Sequence, residues 1–207
     1  MGALKTVRTI LWTLVAVAAA GAGWLWYSNT FSQPQSGSTQ LAAAPEEQYG
    51  AGDYQLVTHD GEPADDSVFV GRPSLVFFGF THCPDVCPTT LGDMQHWFAE
   101  LGDDADAVDA YFVSVDPERD TPEVLGEYVG WVSDKITGLT GEPAEIEKMT
   151  EAWGVMAEKA PLEGGGYNVN HTASVFLIDE NGQFFGTIAY EESSETAIGK
   201  LRRLIAS

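Results

Sequence analysis

The chain has 207 residues, room for one domain of about 150 residues with a tail. Hydrophobic residues make up 44% and aromatic residues 11%, enough for a buried core, which excludes wholesale disorder. Ten Lys and Arg against 31 Asp and Glu give a net charge of -21, which repels a phosphate backbone and excludes nucleic acid as a natural partner. Two cysteines exclude a dense disulfide framework and a four-Cys zinc site.

Thr9 to Tyr27 is an uncharged run rich in Leu, Val and Ala. As a helix it covers about 28 Å, close to the thickness of a bilayer core. Trp24, Trp26 and Tyr27 gather at its downstream end as an interfacial belt, and Lys5 and Arg8 lie upstream. The positive-inside rule then holds the N-terminus in the cytoplasm and exports the rest. A cleaved signal peptide cut near Gly23 is the alternative, but the run outlasts a signal core and its aromatic belt follows the candidate cut. The expected organisation is an N-terminal membrane anchor over 1–27, a flexible polar tether over 28–52 and an exported domain over 53–207. A bacterial inner membrane, with the domain in the periplasm, is the predicted location. All 31 acidic residues lie beyond the anchor, which is read first as a solubility device and second as an attraction for cations or a basic partner.

In the exported part, the continuous apolar runs Leu75–Phe80, Tyr111–Val115 and Ser174–Ile178 predict buried central strands. Between them the apolar spacing turns helical. Leu91, Met94, Trp97, Phe98 and Leu101 form one stripe, Leu125, Tyr128 and Val132 a second, and Ile146, Met149, Trp153 and Met156 a third. Asp179-Glu180-Asn181-Gly182 reads as a hairpin turn leading into a partner strand over Phe184–Tyr190. Ile198, Leu201 and Ile205 mark a closing helix. Strand, helix, strand, helix, helix, strand, hairpin, strand, helix makes an α/β sandwich around a mixed sheet.

Both cysteines sit in Phe80-Thr81-His82-Cys83-Pro84-Asp85-Val86-Cys87-Pro88-Thr89-Thr90, directly after the first central strand, where a βα loop presents reactive groups. Pro88 suits the first helical position, so Cys87 is expected to cap the helix with Cys83 on the loop before it. Orphan N–H groups and the helix dipole at such an end are expected to lower both thiol pKa values. The spacing sets the two Cβ atoms about 5 to 6 Å apart in ideal helix geometry, against the ~3.8 Å of a disulfide. It permits either redox chemistry or two thiolates around one ion. In an exported compartment the soft ion that such donors suit is Cu(I). A candidate third ligand is His171, in Asn168-Val169-Asn170-His171-Thr172 at the entry to the third central strand. It meets the cysteine loop only if that strand runs antiparallel to the first, a reversal that a thioredoxin-like sheet makes. His59 and His96 read as ordinary surface residues, and His82 adjoins Cys83 but is expected to point away from it.

The segments FFGFTHCPDVCPTTL, SVDPERDTPEVL and NVNHTASVFLIDENGQF, in this order after a single membrane span, closely resemble the Sco/SenC family of copper chaperones for cytochrome c oxidase assembly. The resemblance runs from about Tyr54 to Leu204. It implies a thioredoxin-like fold, copper bound by Cys83, Cys87 and His171, and delivery to or reduction of the dinuclear copper site of oxidase subunit II. Other exported copper carriers or thiol reductants are the implied auxiliary partners. The CxxxC spacing, and the absence of a proline in Asn170-His171-Thr172-Ala173-Ser174, differ from redox thioredoxins and favour metal over disulfide exchange. Asn170 stands where many relatives carry an acidic residue. Asp116 to Pro122 is expected to serve turn and cap chemistry. The rival reading is an enzyme, a thiol-disulfide oxidoreductase that cycles Cys83 and Cys87 to keep an acceptor's cysteines reduced. A thioredoxin-like peroxidase is a weaker one, for want of a pattern.

Overall fold

The computed structural model describes residues 48–207. The expected membrane helix over Thr9 to Tyr27 and most of the tether lie outside the described residues. Among the described residues no helix is long and apolar enough to cross a membrane. Residues 48–52, read from sequence as the end of the tether, are bonded to the domain. Tyr49 donates its N–H to the Gly182 carbonyl at 2.8 Å and its hydroxyl to that of Trp153 at 3.0 Å. Its ring packs edge-on against Trp153, an apolar anchor that a polar composition conceals.

The strands in chain order are Leu56–Thr58 (β1), Pro63–Ala64 (β2), Ser74–Gly79 (β3), Asp109–Ser114 (β4), Ile136–Gly141 (β5), Ala157–Pro161 (β6), Tyr167–His171 (β7), Val175–Ile178 (β8) and Phe184–Ile188 (β9). The helices are Val86–Leu101 (α1), Pro122–Gly130 (α2), Pro143–Trp153 (α3) and Ser194–Ile205 (α4). Seven strands form one sheet in the order β2-β1-β5-β4-β3-β8-β9, and β6 and β7 make a separate antiparallel hairpin. β3, β4 and β5 run parallel, while β8 lies antiparallel to β3 and β9 antiparallel to β8. The mixed sheet expected from the sequence is present. So is the turn ahead of β9, where Asp179 accepts from the N–H groups of Asn181 and Gln183 and Gly182 takes a positive φ of 76°.

Every residue of β3 and β8 is buried, as continuous apolar runs with both faces covered must be. On one face Phe77 packs on Phe112, and Phe112 on Tyr128 of α2. On the other, Phe78 and Phe176 pack on Trp153, the last residue of α3. Five strands stand outside the expected order: β1 and β2 ahead of the first expected strand, β5, and the pair β6 and β7. β5 separates α2 from α3, where the sequence reads as two successive helices. Its segment Ile-Thr-Gly-Leu-Thr-Gly alternates poorly because Gly138 leaves room for Leu125, whose side chain lies 2.7 Å from where a Cβ would stand. The β6–β7 hairpin is likewise unannounced by any apolar period, since most of its residues are exposed.

Gly79 closes β3 for want of space, not for want of conformational freedom. A Cβ there would lie 2.6 Å from the Phe112 ring and 2.8 Å from the Cys87 sulfur. Gly79→Ala is therefore expected to cost about 1–3 kcal/mol of stability in urea unfolding, the penalty of an overpacked core. Wild-type stability would show that α1 shifts freely on the sheet.

Candidate metal centre

The chain leaves β3 at Phe80 and enters α1 at Val86, so the intervening loop stands at the C-terminal edge of the parallel strands. Asp85 occupies the N-cap of α1 but makes no side-chain cap bond; the Cys87 N–H instead points to the Cys83 sulfur at 3.4 Å. This corrects the expectation that Cys87 caps the helix. It lies inside the first turn, and Pro88 follows it there without loss, because the N–H that proline lacks has no intrahelical acceptor so close to the end.

The antiparallel course of β8 beside β3 pairs Val175 with Phe77, which brings the segment ahead of β8 to the cysteine loop. His171 is the last residue of β7, not part of the connecting loop, and its Nε2 lies 3.4 Å from the Cys87 sulfur. Its Nδ1 lies 3.0 Å from the Thr172 carbonyl, which only accepts, so Nδ1 carries the hydrogen and the Nε2 lone pair faces the sulfur. One ligand atom each from Cys83, Cys87 and His171 falls within 4.8 Å of the others. Both cysteines are free thiols, Cys87 buried and Cys83 partly exposed. Two thiol sulfurs and an imidazole at this separation fit a soft monovalent ion in a three-donor shell.

Burial sets the protonation of this cluster. It pushes the Cys87 thiol far above its ordinary range, only partly opposed by the Phe80 backbone and assisted by Cys83 and Asp120. This overturns the expected lowering of that thiol's pKa. The dipole at a helix start favours the thiolate, but removing the sulfur from water disfavours it by more. Burial likewise lowers the His171 pKa, against the Thr172 and Phe78 carbonyls, and keeps the ring neutral and ready to donate its lone pair.

Asp116 and Asp120, expected to shape a turn, do more. Thr121 does cap α2, with Pro122 in its first turn. Both aspartates, however, are fully buried. Asp120 accepts from the Thr81 N–H at 3.0 Å, the Thr81 hydroxyl at 2.6 Å and the Ser114 hydroxyl at 2.6 Å, fastening the cysteine loop to the end of β4. Asp116 accepts from the Tyr167 hydroxyl at 2.7 Å and pairs with Arg119. The Arg119 guanidinium lies 4.0 Å from the centre of the Tyr167 ring and 5.7 Å from that of Phe80. One arm thus holds the strand that carries His171 and the other the loop that carries the cysteines.

The remaining histidines stand apart. His82 is exposed, its Nδ1 3.0 Å from the Thr81 hydroxyl, and turns away from the cysteines as expected. His96 is exposed on α1. His59 is not the free surface residue expected: its Nδ1 accepts the Gly138 N–H at 3.0 Å and ties the β1–β2 turn to β5.

A thioredoxin-like domain with a CxxxC pair at the start of its first long helix and a histidine brought back by a reversed strand defines a class of protein. The SCO1/SenC pattern matches residues 42–206, and the chain belongs to that family. It is 31% identical over 198 residues to the mitochondrial protein SCO2 homolog of Mus musculus, covering 94% of this chain and 78% of that one. To the mitochondrial protein SCO1 homolog of Homo sapiens it is 39% identical over 140 residues, 64% of this chain and 45% of that one. Among solved structures, Bradyrhizobium japonicum ScoI with copper bound shares 41% identity at a TM-score of 0.69, over 74% of this chain and 98% of that one.

Two outcomes follow from the geometry. Asp120→Asn is expected to lower stability by about 1–3 kcal/mol in urea unfolding, because the amide puts two donor hydrogens where the carboxylate accepts three bonds. In the reduced, metal-free protein, iodoacetamide is expected to label Cys83 well before Cys87 at about pH 8, read by peptide mass. A raised pKa leaves Cys87 a thiol through neutral pH, so its labelling rate should still climb above about pH 9, where a free cysteine approaches its plateau. Equal rates for both would remove burial as the controlling factor.

Proposed function

We propose that this protein is a membrane-anchored copper chaperone, binding copper through Cys83, Cys87 and His171 and supporting assembly of the dinuclear copper site of cytochrome c oxidase subunit II. The observation that carries this reading is the convergence of three donors of the right softness within 4.8 Å. The copper in the B. japonicum relative supports it. The cysteines select a soft ion, and the neutral imidazole completes the shell while remaining displaceable when an acceptor competes. Oxidation of the two thiols to a disulfide removes two of the three donors, so a separate exported reductant has to keep the pair reduced. The anchor is the run from Thr9 to Tyr27, with the domain facing the periplasm of a bacterial inner membrane. The support for that part is the charge and aromatic pattern of the sequence.

The reduced full chain in detergent should hold one Cu(I) in a shell of two sulfurs and one nitrogen by X-ray absorption. His171→Ala should lose the nitrogen and keep both sulfurs. In cells the same variant should lose oxidase activity with its dithiol intact, partly restored by added copper. The free pair Cys83 and Cys87 also admits thiol exchange with an acceptor, and that second reading prevails if His171→Ala sustains full oxidase assembly at limiting copper while Cys83→Ala does not.

A further inference from the structure

Three methionines fall among the described residues, and they divide sharply. Met94 and Met149 are fully buried in the core, as an apolar side chain at helical spacing should be, whereas Met156 is 51% exposed. Met156 follows α3 and directly precedes Ala157, the residue of β6 that pairs with His171. Its backbone is fixed there from both sides. Its N–H donates to the Thr172 hydroxyl at 3.1 Å, and its carbonyl accepts from the Thr172 N–H at 3.1 Å. The sequence places Met156 on the apolar stripe of α3, but the helix stops at Trp153 and Gly154, so the residue leaves that stripe altogether. It lines instead an open cleft whose walls include Cys83, Val86, Val169, His171 and Ala173. An exposed thioether thus shares a cleft with two of the three proposed copper donors.

We infer that Met156 supplies an auxiliary sulfur donor at the mouth of the cleft, through which Cu(I) enters and leaves the Cys83, Cys87 and His171 site. The inference rests on the copper reading above. A thioether is a soft, neutral donor suited to Cu(I) and poorly suited to hard cations. It carries no proton, so the first Cu–S bond forms without one being released. Each transfer is a ligand exchange at constant oxidation state: a Cu–S bond to Met156 forms as a bond to the incoming carrier breaks, and then breaks as the Cys83 and Cys87 sulfurs take the ion, any thiol proton they carry passing to solvent water. Departure runs the same exchange in reverse. The resting shell remains two sulfurs and one nitrogen.

The test uses the reduced full chain in detergent with 13C-labelled methionine methyl groups, titrated with Cu(I) supplied as its acetonitrile complex. The Met156 methyl resonance, assigned with the Met156→Leu variant, is expected to shift and broaden below one equivalent while those of Met94 and Met149 stay in place. Met156→Leu keeps the apolar bulk and should leave thermal unfolding unchanged. It should slow both uptake and release to an aromatic Cu(I) chelator on the order of tenfold, the scale on which groups just outside a metal's ligand set act. A stationary Met156 resonance, or wild-type exchange rates in the variant, with one Cu(I) still bound, would overturn the inference and leave the copper reading standing. Failure of the wild-type chain to bind Cu(I) at all would overturn both.

Discussion

The site depends on one reversal in the sheet. β3, β4 and β5 run parallel and deliver their following loops to one edge; a further parallel strand would present the residues ahead of it at the opposite edge. β8 runs the other way, in register from Phe77 opposite Val175 to Ser74 opposite Ile178. His171, 84 residues from Cys87 in sequence, is thereby returned to the end of β3 where the cysteine loop begins. Because side chains alternate across a strand, a slip of one residue in this pairing would turn the whole of β8 over. Val175, Phe176, Leu177 and Ile178 are all apolar and buried, so polarity does not oppose that slip; the seating of the Phe176 ring against Phe78 and Trp153 does, and it holds the register that places His171.

Register alone does not hold two loops together, and here the buried acids matter. An ionised carboxylate taken out of water is costly unless hydrogen bonds replace its hydration. Asp120 has three such bonds, and the Asp116 carboxylate has the Tyr167 hydroxyl and the Arg119 guanidinium. Two buried acids with such partners are not fillers of space; each is tied to a different limb of the site. Mobility of either limb relative to the other would strip a carboxylate of its donors, so the cost of burial becomes a penalty against opening. The back of the site is therefore stiff, while Cys83 and Met156 at the front remain open to solvent.

The elements legible in the sequence are those whose burial writes itself into a period. β3, β4 and β8 are continuous apolar runs, α1 and α4 keep their stripes, and the hairpin before β9 carries its Asp and Gly. β5 escapes notice because Gly138 and Gly141 occupy positions where neighbouring side chains lean over the strand, leaving Ile136 and Leu139 too widely spaced to signal alternation. The β6–β7 hairpin escapes because it is held by backbone pairing and by the Arg119 stack on Tyr167, neither of which requires hydrophobic residues. The convergence of Cys83, Cys87 and His171 was legible as a conditional statement whose condition, the reversed strand, is met. The contribution of Asp120 was not, since a turn motif of Asp, Pro and Thr looks the same in sequence whether its acid faces water or Thr81.

The protonation of Cys87 shows where a local rule yields to its surroundings. A helix start supplies favourable charge–dipole energy of about 0.3–1 kcal/mol at an exposed position. Burying a thiolate costs several times that, which is why Cys87 is not made reactive by its location alone. In the metal-free protein the buried Cys87 keeps its proton and resists stray oxidation, because the thiolate is the species that attacks and oxidises. Only an ion that bonds strongly to sulfur repays the loss of the Cys87 proton, and ions that bind weakly to thiolate are left outside. Burial of Cys87 thus acts as a selectivity filter as well as a shield.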